Sequence, residues 1–207
     1  SLAELIDSVE TEERDWADLA RLDTGEHALW WQLTAEFLSI ASAFWPARLE
    51  ELRRSSPARH QAVLLRGEAR RIAERDHKGP VIVAGSTGSV PAAADLIAAI
   101  AALPQGAVVL PGLDLDMPDD QWTMIGSEGP DGRIDASSRS HPQFGLSRLL
   151  IKLGIDRSEV GVLGELAPEL GDRAATLSQA LAPAIATDLW SEWRASTDRD
   201  ALSRAFA

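Results

Sequence analysis

Cysteine is absent from the 207-residue chain. This excludes disulfides, thiolate metal sites and iron–sulfur clusters within it, and fits a reducing, cytoplasmic setting. Tyrosine is absent too, so a Tyr–Lys reductase couple cannot be assembled. Lysine is nearly absent: Lys78 and Lys152 are the two lysines among 20 basic residues. No apolar run approaches the roughly 18 residues a membrane span needs, and no signal-peptide pattern opens the chain, so no membrane partner is expected. Positive charge is also short, with a formal net charge of −12, which argues against generic nucleic-acid binding.

What charge there is lies unevenly. Residues 1–26 hold nine acids and two bases, whereas residues 48–78 hold nine bases and five acids. The preference for Arg over Lys accords with a GC-rich genome, or with a face formed by Arg59, Arg66 and Arg70 for phosphates or carboxylates. At 45% hydrophobic and 25% charged residues, the chain can bury one substantial core with a helical annex.

Periodicity predicts an acidic, exposed helix over 4–20, interrupted at Asp23-Thr24-Gly25. The strongest helix pattern is 26–45. There Trp30, Leu33, Phe37, Ile40, Ala41 and Phe44 form one buried stripe, Trp31, Leu38 and Trp45 flank it, and Pro46 ends or kinks the helix. A further helix over 57–76 packs through Ala58, Ala62, Leu65, Ala69 and Ile72. Then comes one βαβ unit: a strand at Val81–Ala84, a glycine turn, a helix at Pro91–Leu103 capped by Ser89 and packed through Ala93, Leu96, Ile97 and Ile100, and a buried strand at Ala107–Leu110. Residues 111–142 read as a long polar loop with an apolar knot from Trp122 to Ile125. A helix over 143–153 ends at Gly154, and helices over 172–193 and 198–206 complete a mostly helical α/β chain. Three segments are expected: a helical 1–78, a βαβ core at 79–125, and a loop followed by helices at 126–207. The chain reads as a piece of a longer protein.

Two nucleotide-binding fingerprints are approached and missed. Gly85-Ser-Thr-Gly-Ser-Val-Pro91 follows a strand and precedes a helix, but has no Walker lysine to reach outer phosphates. Gly85 and Gly88 match the first two glycines of a dinucleotide loop, and Pro91 stands at the third, where glycine permits close helix–sheet packing. The backbone N–H groups of Gly85, Ser86, Thr87, Gly88 and Ser89 remain candidates to hold an anion, or the glycines simply let the chain turn. His141 reads as a cap or packing residue. Asp114, Asp116, Asp119 and Asp120 read as a solvated surface with a helix cap, since no calcium-loop spacing joins them; no metal site is expected.

Taken together, Ala84-Gly-Ser-Thr-Gly-Ser-Val-Pro91, Leu103-Pro-Gln-Gly-Ala-Val-Val-Leu-Pro-Gly-Leu-Asp114, Trp122, His141-Pro142-Gln143, Gly145-Leu146, Leu149-Leu150, Leu153-Gly154 and Arg157 resemble the AddB family. A weaker echo lies at Trp31 to Leu38 and Trp45-Pro46. Members partner AddA in the bacterial helicase–nuclease that processes DNA double-strand breaks. The resemblance implies a helicase-like fold that has lost ATPase function and serves as a scaffold guiding DNA. It also implies an AddA-type partner, with ATP, magnesium and an iron–sulfur cluster held elsewhere in the parent complex and no cofactor or catalytic residue here. Gly85-Ser86-Thr87 stands where active helicases keep a Gly-Asp-x-x-Gln motif, so that chemistry is missing. The roles of His141, Pro142, Gln143 and Arg157 are left open. Two other readings compete: an enzyme binding a nucleotide or NADP through Gly85–Ser89, and an interaction module whose acidic N-terminal helix docks a basic partner.

Overall fold

The computed structural model describes residues 2–16, 38, 42–129, 132–164, 167–183, 191, 195 and 203. They form a mostly helical α/β structure containing a two-stranded parallel sheet. The chain divides into two compact units, Ser1–Gly79 with Val90–Pro104, and Pro80–Ser89 with Gln105–Ala207. This division differs from the three consecutive segments expected, because the crossover helix joins the first unit and both strands belong to the second.

The first unit contains α1 (Leu2–Thr11), a helical stretch over 42–51 (α2), α3 (Pro57–Glu74) and α4 (Pro91–Ala101). α1 buries no residue, as its acidic sequence suggests, but it stops well before residue 20. A Schellman close ends it: Arg14 N–H donates to Val9 O and Glu13 N–H to Glu10 O, with Glu13 at φ +52° in the left-handed position glycine usually takes. α2 ends the same way, with Arg53 at φ +49°, and it continues through Pro46 rather than ending there. Of the residues flanking the stripe, Leu38 is buried and Trp45 half-buried, whereas Phe44 of the stripe itself is 65% exposed and does not belong to the core. The rest of the expected 26–45 stripe lies outside the described residues.

α3 matches its expected span closely. Ser56 caps it by accepting a hydrogen bond from Arg59 N–H at 3.2 Å, Pro57 occupies the first turn, and His77 Nε2 meets Ile72 O at 3.0 Å near the far end. Its buried Ala58, Ala62 and Ile72 form the face packed on α4, whose buried residues are Ala92, Ala94, Ile97 and Ile100. Alanine on both helices lets the axes approach, and each buried isoleucine contributes about 2 kcal/mol. α4 is capped by Val90 without a side-chain hydrogen bond, so Ser89 does not cap it; Pro91 takes the first-turn position as expected.

The second unit holds β1 (Val81–Ala84) and β2 (Gly106–Val109), paired in parallel with Val81 opposite Gly106. Neither strand is buried throughout. The Val81–Val83–Val108 face is half-buried and the other is open, with Ile82 62% exposed, so the continuous apolar run does not mark a sheet covered on both faces. The expected polar loop holds two helices, α5 (Asp119–Gly126) and α6 (Ala136–Arg139). Then come α7 (Phe144–Leu153), a 3₁₀ turn at Arg157–Glu159, and α8 (Pro168–Ala180). α8 starts before and ends short of the helix expected over 172–193, and beyond residue 183 the described residues are 191, 195 and 203, each helical. α7 is closed by Gly154 at φ +65°, and its buried Leu146, Leu149 and Leu150 supply much of this unit's core with Met117 and Ile125. α5 packs closely on α7, because a Cβ at Gly126 would collide with Ser147 Oγ and lie 2.9 Å from Ile151 Cδ1.

The turn after β1 is seated on α7. Gly88 has φ +62°, and a Cβ there would fall 2.9 Å from Leu149 Cδ1, itself 1% exposed. Gly88→Ala should therefore lose about 2–4 kcal/mol, from the left-handed backbone and the crowding of a packed leucine. Urea unfolding checks this, and an unchanged midpoint would show that the turn does not press on α7.

Candidate functional site

In a parallel sheet, ligands are bound at the carboxyl ends of the strands. Two loops of the second unit leave those ends: Gly85–Ser89 after β1, and the stretch from Leu110 to Pro118 after β2. Gly145 at the start of α7 lies beside the first loop, where its Cβ would stand 3.7 Å from Ser89 Cβ and 3.9 Å from Thr87 Cβ.

The Gly85–Ser89 turn is less open to an anion than its sequence suggests. Gly85 N–H donates to Val109 O at 3.1 Å, and Gly88 N–H donates to Ser86 Oγ at 3.3 Å. Of five backbone donors, two are already used within the fold; those of Ser86, Thr87 and Ser89 have no hydrogen-bond partner among the described residues.

The second loop has no regular structure, so its amides and carbonyls need side-chain partners. Gln143 supplies two: its Nε2 donates to Gly112 O at 2.9 Å, and its Oε1 accepts from Asp114 N–H at 3.1 Å. Asp114 then folds the next residues by accepting from the N–H groups of Asp116 at 3.0 Å and Met117 at 2.9 Å. Arg157, 8% exposed, donates to Asp114 O at 3.0 Å, forms an ion pair with Asp119, and stacks 5.0 Å above the Trp122 ring. Asp119 is 96% exposed, so water screens that pair; the carbonyl bond and the indole contact carry most of the worth of Arg157.

His141 is equally engaged. Its Nδ1 accepts from Gln143 N–H at 3.1 Å, which leaves the proton on Nε2 to bridge to Leu181 O at 2.6 Å, beyond the end of α8. Pro142 is exposed and precedes the bracing glutamine. Residues whose roles the sequence left open thus converge on one loop and its supports. Asp114, expected on a solvated surface with a helix cap, is half-buried and caps a turn instead. No group of three potential metal ligands occurs among the described residues.

Arg157 is itself positioned by a capping box. Asp156 accepts from Ser158 N–H at 2.8 Å and Ser158 Oγ at 2.6 Å, while Glu159 accepts from Asp156 N–H at 2.7 Å. The Ser158 hydroxyl, then its backbone N–H, hold the Asp156 carboxyl below the usual carboxylate range.

In the first unit, the three candidate arginines of α3 differ in what they meet. Their spacing places them within about 40° of arc, centred about 100° from the buried alanine face. Arg59 and Arg70 are exposed, with no side-chain partner among the described residues. Arg66 is half-buried and committed on both sides of its guanidinium: Nε donates to Asp95 on α4 at 2.9 Å, while Nη1 and Nη2 take the two carboxylate oxygens of Glu13. These hydrogen bonds, from Glu13 foremost and then Asp95, raise the Arg66 pKa further above its ordinary value. Neither acid is suggested by sequence, because the pairs span 53 and 29 residues.

No helix among the described residues is long and apolar enough to cross a membrane. Neither a protein-family profile, a curated protein nor a solved structure matches the chain.

Two outcomes are expected of the second loop. Arg157→Ala should destabilise the protein by about 2–3 kcal/mol in urea unfolding, because Asp114 O loses its donor and Trp122 its cation. A loss within about 0.5 kcal/mol would assign Arg157 no bracing role. For Asp156, whose folded pKa is depressed, the stabilisation is present above the unfolded value and is lost as pH falls through the folded one. The stability of Asp156→Asn should therefore fall less steeply than that of the parent below about pH 4. Parallel curves would exclude the contribution.

Proposed function

We propose that the chain is a non-catalytic, helicase-like portion of an AddB-type subunit, acting as scaffold and DNA guide in an ATP-dependent helicase–nuclease for double-strand break repair. Its partners on this reading are an AddA-type subunit and DNA. The observation that carries the reading is where the residues of the resemblance fall. They build both loops at the carboxyl end of a parallel sheet, and the polar groups of Gln143 and Arg157 are spent on bracing the second.

Active helicases keep phosphate-binding and acid–base groups at such an edge. Here the turn has no lysine, and the amide of Gln143 and the guanidinium of Arg157 bind backbone within the fold rather than reaching toward a ligand. A scaffold retains the shape of the site and loses its chemistry. The basic surface of α3 then supplies the charge for DNA contact, which the net charge opposes elsewhere.

Titration with ATP, NADPH and single-stranded DNA tests this directly. The protein should hydrolyse no ATP, bind neither nucleotide in the micromolar range, and bind the single strand weakly. Affinity should fall with salt at a slope of roughly −0.7 per phosphate contact. Micromolar binding of ATP or NADPH would overturn the reading in favour of a nucleotide-dependent enzyme using Gly85–Ser89.

A further inference from the structure

We infer that Glu13 is a displaceable anionic cover on the arginine face of α3, occupying on Arg66 the place that a phosphate of single-stranded DNA takes when the strand binds. The inference rests on the DNA-guiding reading and adds to it a control: the acidic N-terminal segment competes with DNA for the same guanidinium.

The two acids on Arg66 are not equivalent. Asp95 lies on α4, which is packed against α3 through buried alanines and isoleucines, and it holds the Nε edge. Glu13 takes the Nη1–Nη2 end through both carboxylate oxygens, the paired geometry in which arginine also grips a phosphate. One carboxylate therefore fixes the orientation of the guanidinium, and the other fills its recognition fork.

Glu13 is also cheap to displace. It follows α1, a helix that buries no residue, and it holds a left-handed backbone that a non-glycine residue adopts at a cost. The Arg66 side chain is 38% exposed even with Glu13 in place, so a strand can reach it.

The neighbouring charges fit a polyanion. Arg59 and Arg70 share the Arg66 stripe, about 10 Å and about 6 Å along the helix from it, and neither has a side-chain partner among the described residues. Two arginines stand ready while the central one is masked. The masking acid comes from a segment with nine acids and two bases over residues 1–26.

The test is fluorescence anisotropy of a labelled oligo(dT) on the whole chain, over a range of salt. Glu13→Gln should bind about fivefold more tightly at low salt, with a log–log slope steeper by about 0.7, one extra phosphate contact. Removal of residues 1–14 should give the same gain, and adding Arg66→Ala to Glu13→Gln should abolish it. If Glu13→Gln and the parent bind DNA with equal affinity and slope, the cover is refuted, while the DNA-guiding reading stands on the binding itself. If neither binds single-stranded DNA at low salt, that reading fails and the cover with it.

Discussion

The carboxyl end of the sheet depends on one side chain, the amide of Gln143, which grips Gly112 O and Asp114 N–H together. The loop between β2 and α5 cannot satisfy its own backbone, and the Gln143 amide offers a donor and an acceptor at the right separation. Once Asp114 is fixed, its carboxylate folds Asp116 and Met117, and Met117 is buried at the base of the loop. The carbonyl of Asp114 receives Arg157, which covers Trp122 of α5. A single bidentate contact thus orders a loop, sets where α5 begins and gives a buried arginine its partner.

The first unit depends on different physics. Small residues bring α3 and α4 together, and charge then decides what the exposed side of α3 can do. An arginine held at one edge by a helix-borne aspartate and at its fork by a glutamate is oriented but not free. Much of the chain's positive charge lies in this region, so the state of Arg66 sets how much of it any anion can meet.

Much of this was legible in the sequence, for identifiable reasons. α3 and α7 carried clear periodicity and standard end signals, Ser56-Pro57 for one and Gly154 for the other, and both strands lay within a residue of their expected positions. The end of α1 was not legible, because its left-handed closing residue is Glu13 rather than glycine. α5 was read only as an apolar knot, since eight residues give too little periodicity beside so much Asp and Gly. The open side of the sheet was missed because Ile82 is as apolar as a core residue. Of the candidate site, the loops were visible as glycine and proline patterns. The uses of His141, Gln143 and Arg157 were not, since each depends on a partner far along the chain: Leu181, Gly112 and Asp114 respectively.

The central claim is that the residues of the resemblance brace the loop and do not touch a ligand. A double-mutant cycle of Gln143→Ala and Arg157→Ala, followed by urea unfolding and by single-strand binding of the folded protein, tests it most directly. The account expects each change to lower stability, the pair to couple by about 0.5–3 kcal/mol through the Asp114 loop, and DNA affinity to stay at the parent value. Undiminished stability with weakened DNA binding would contradict it, placing Gln143 and Arg157 at the ligand instead of beneath it.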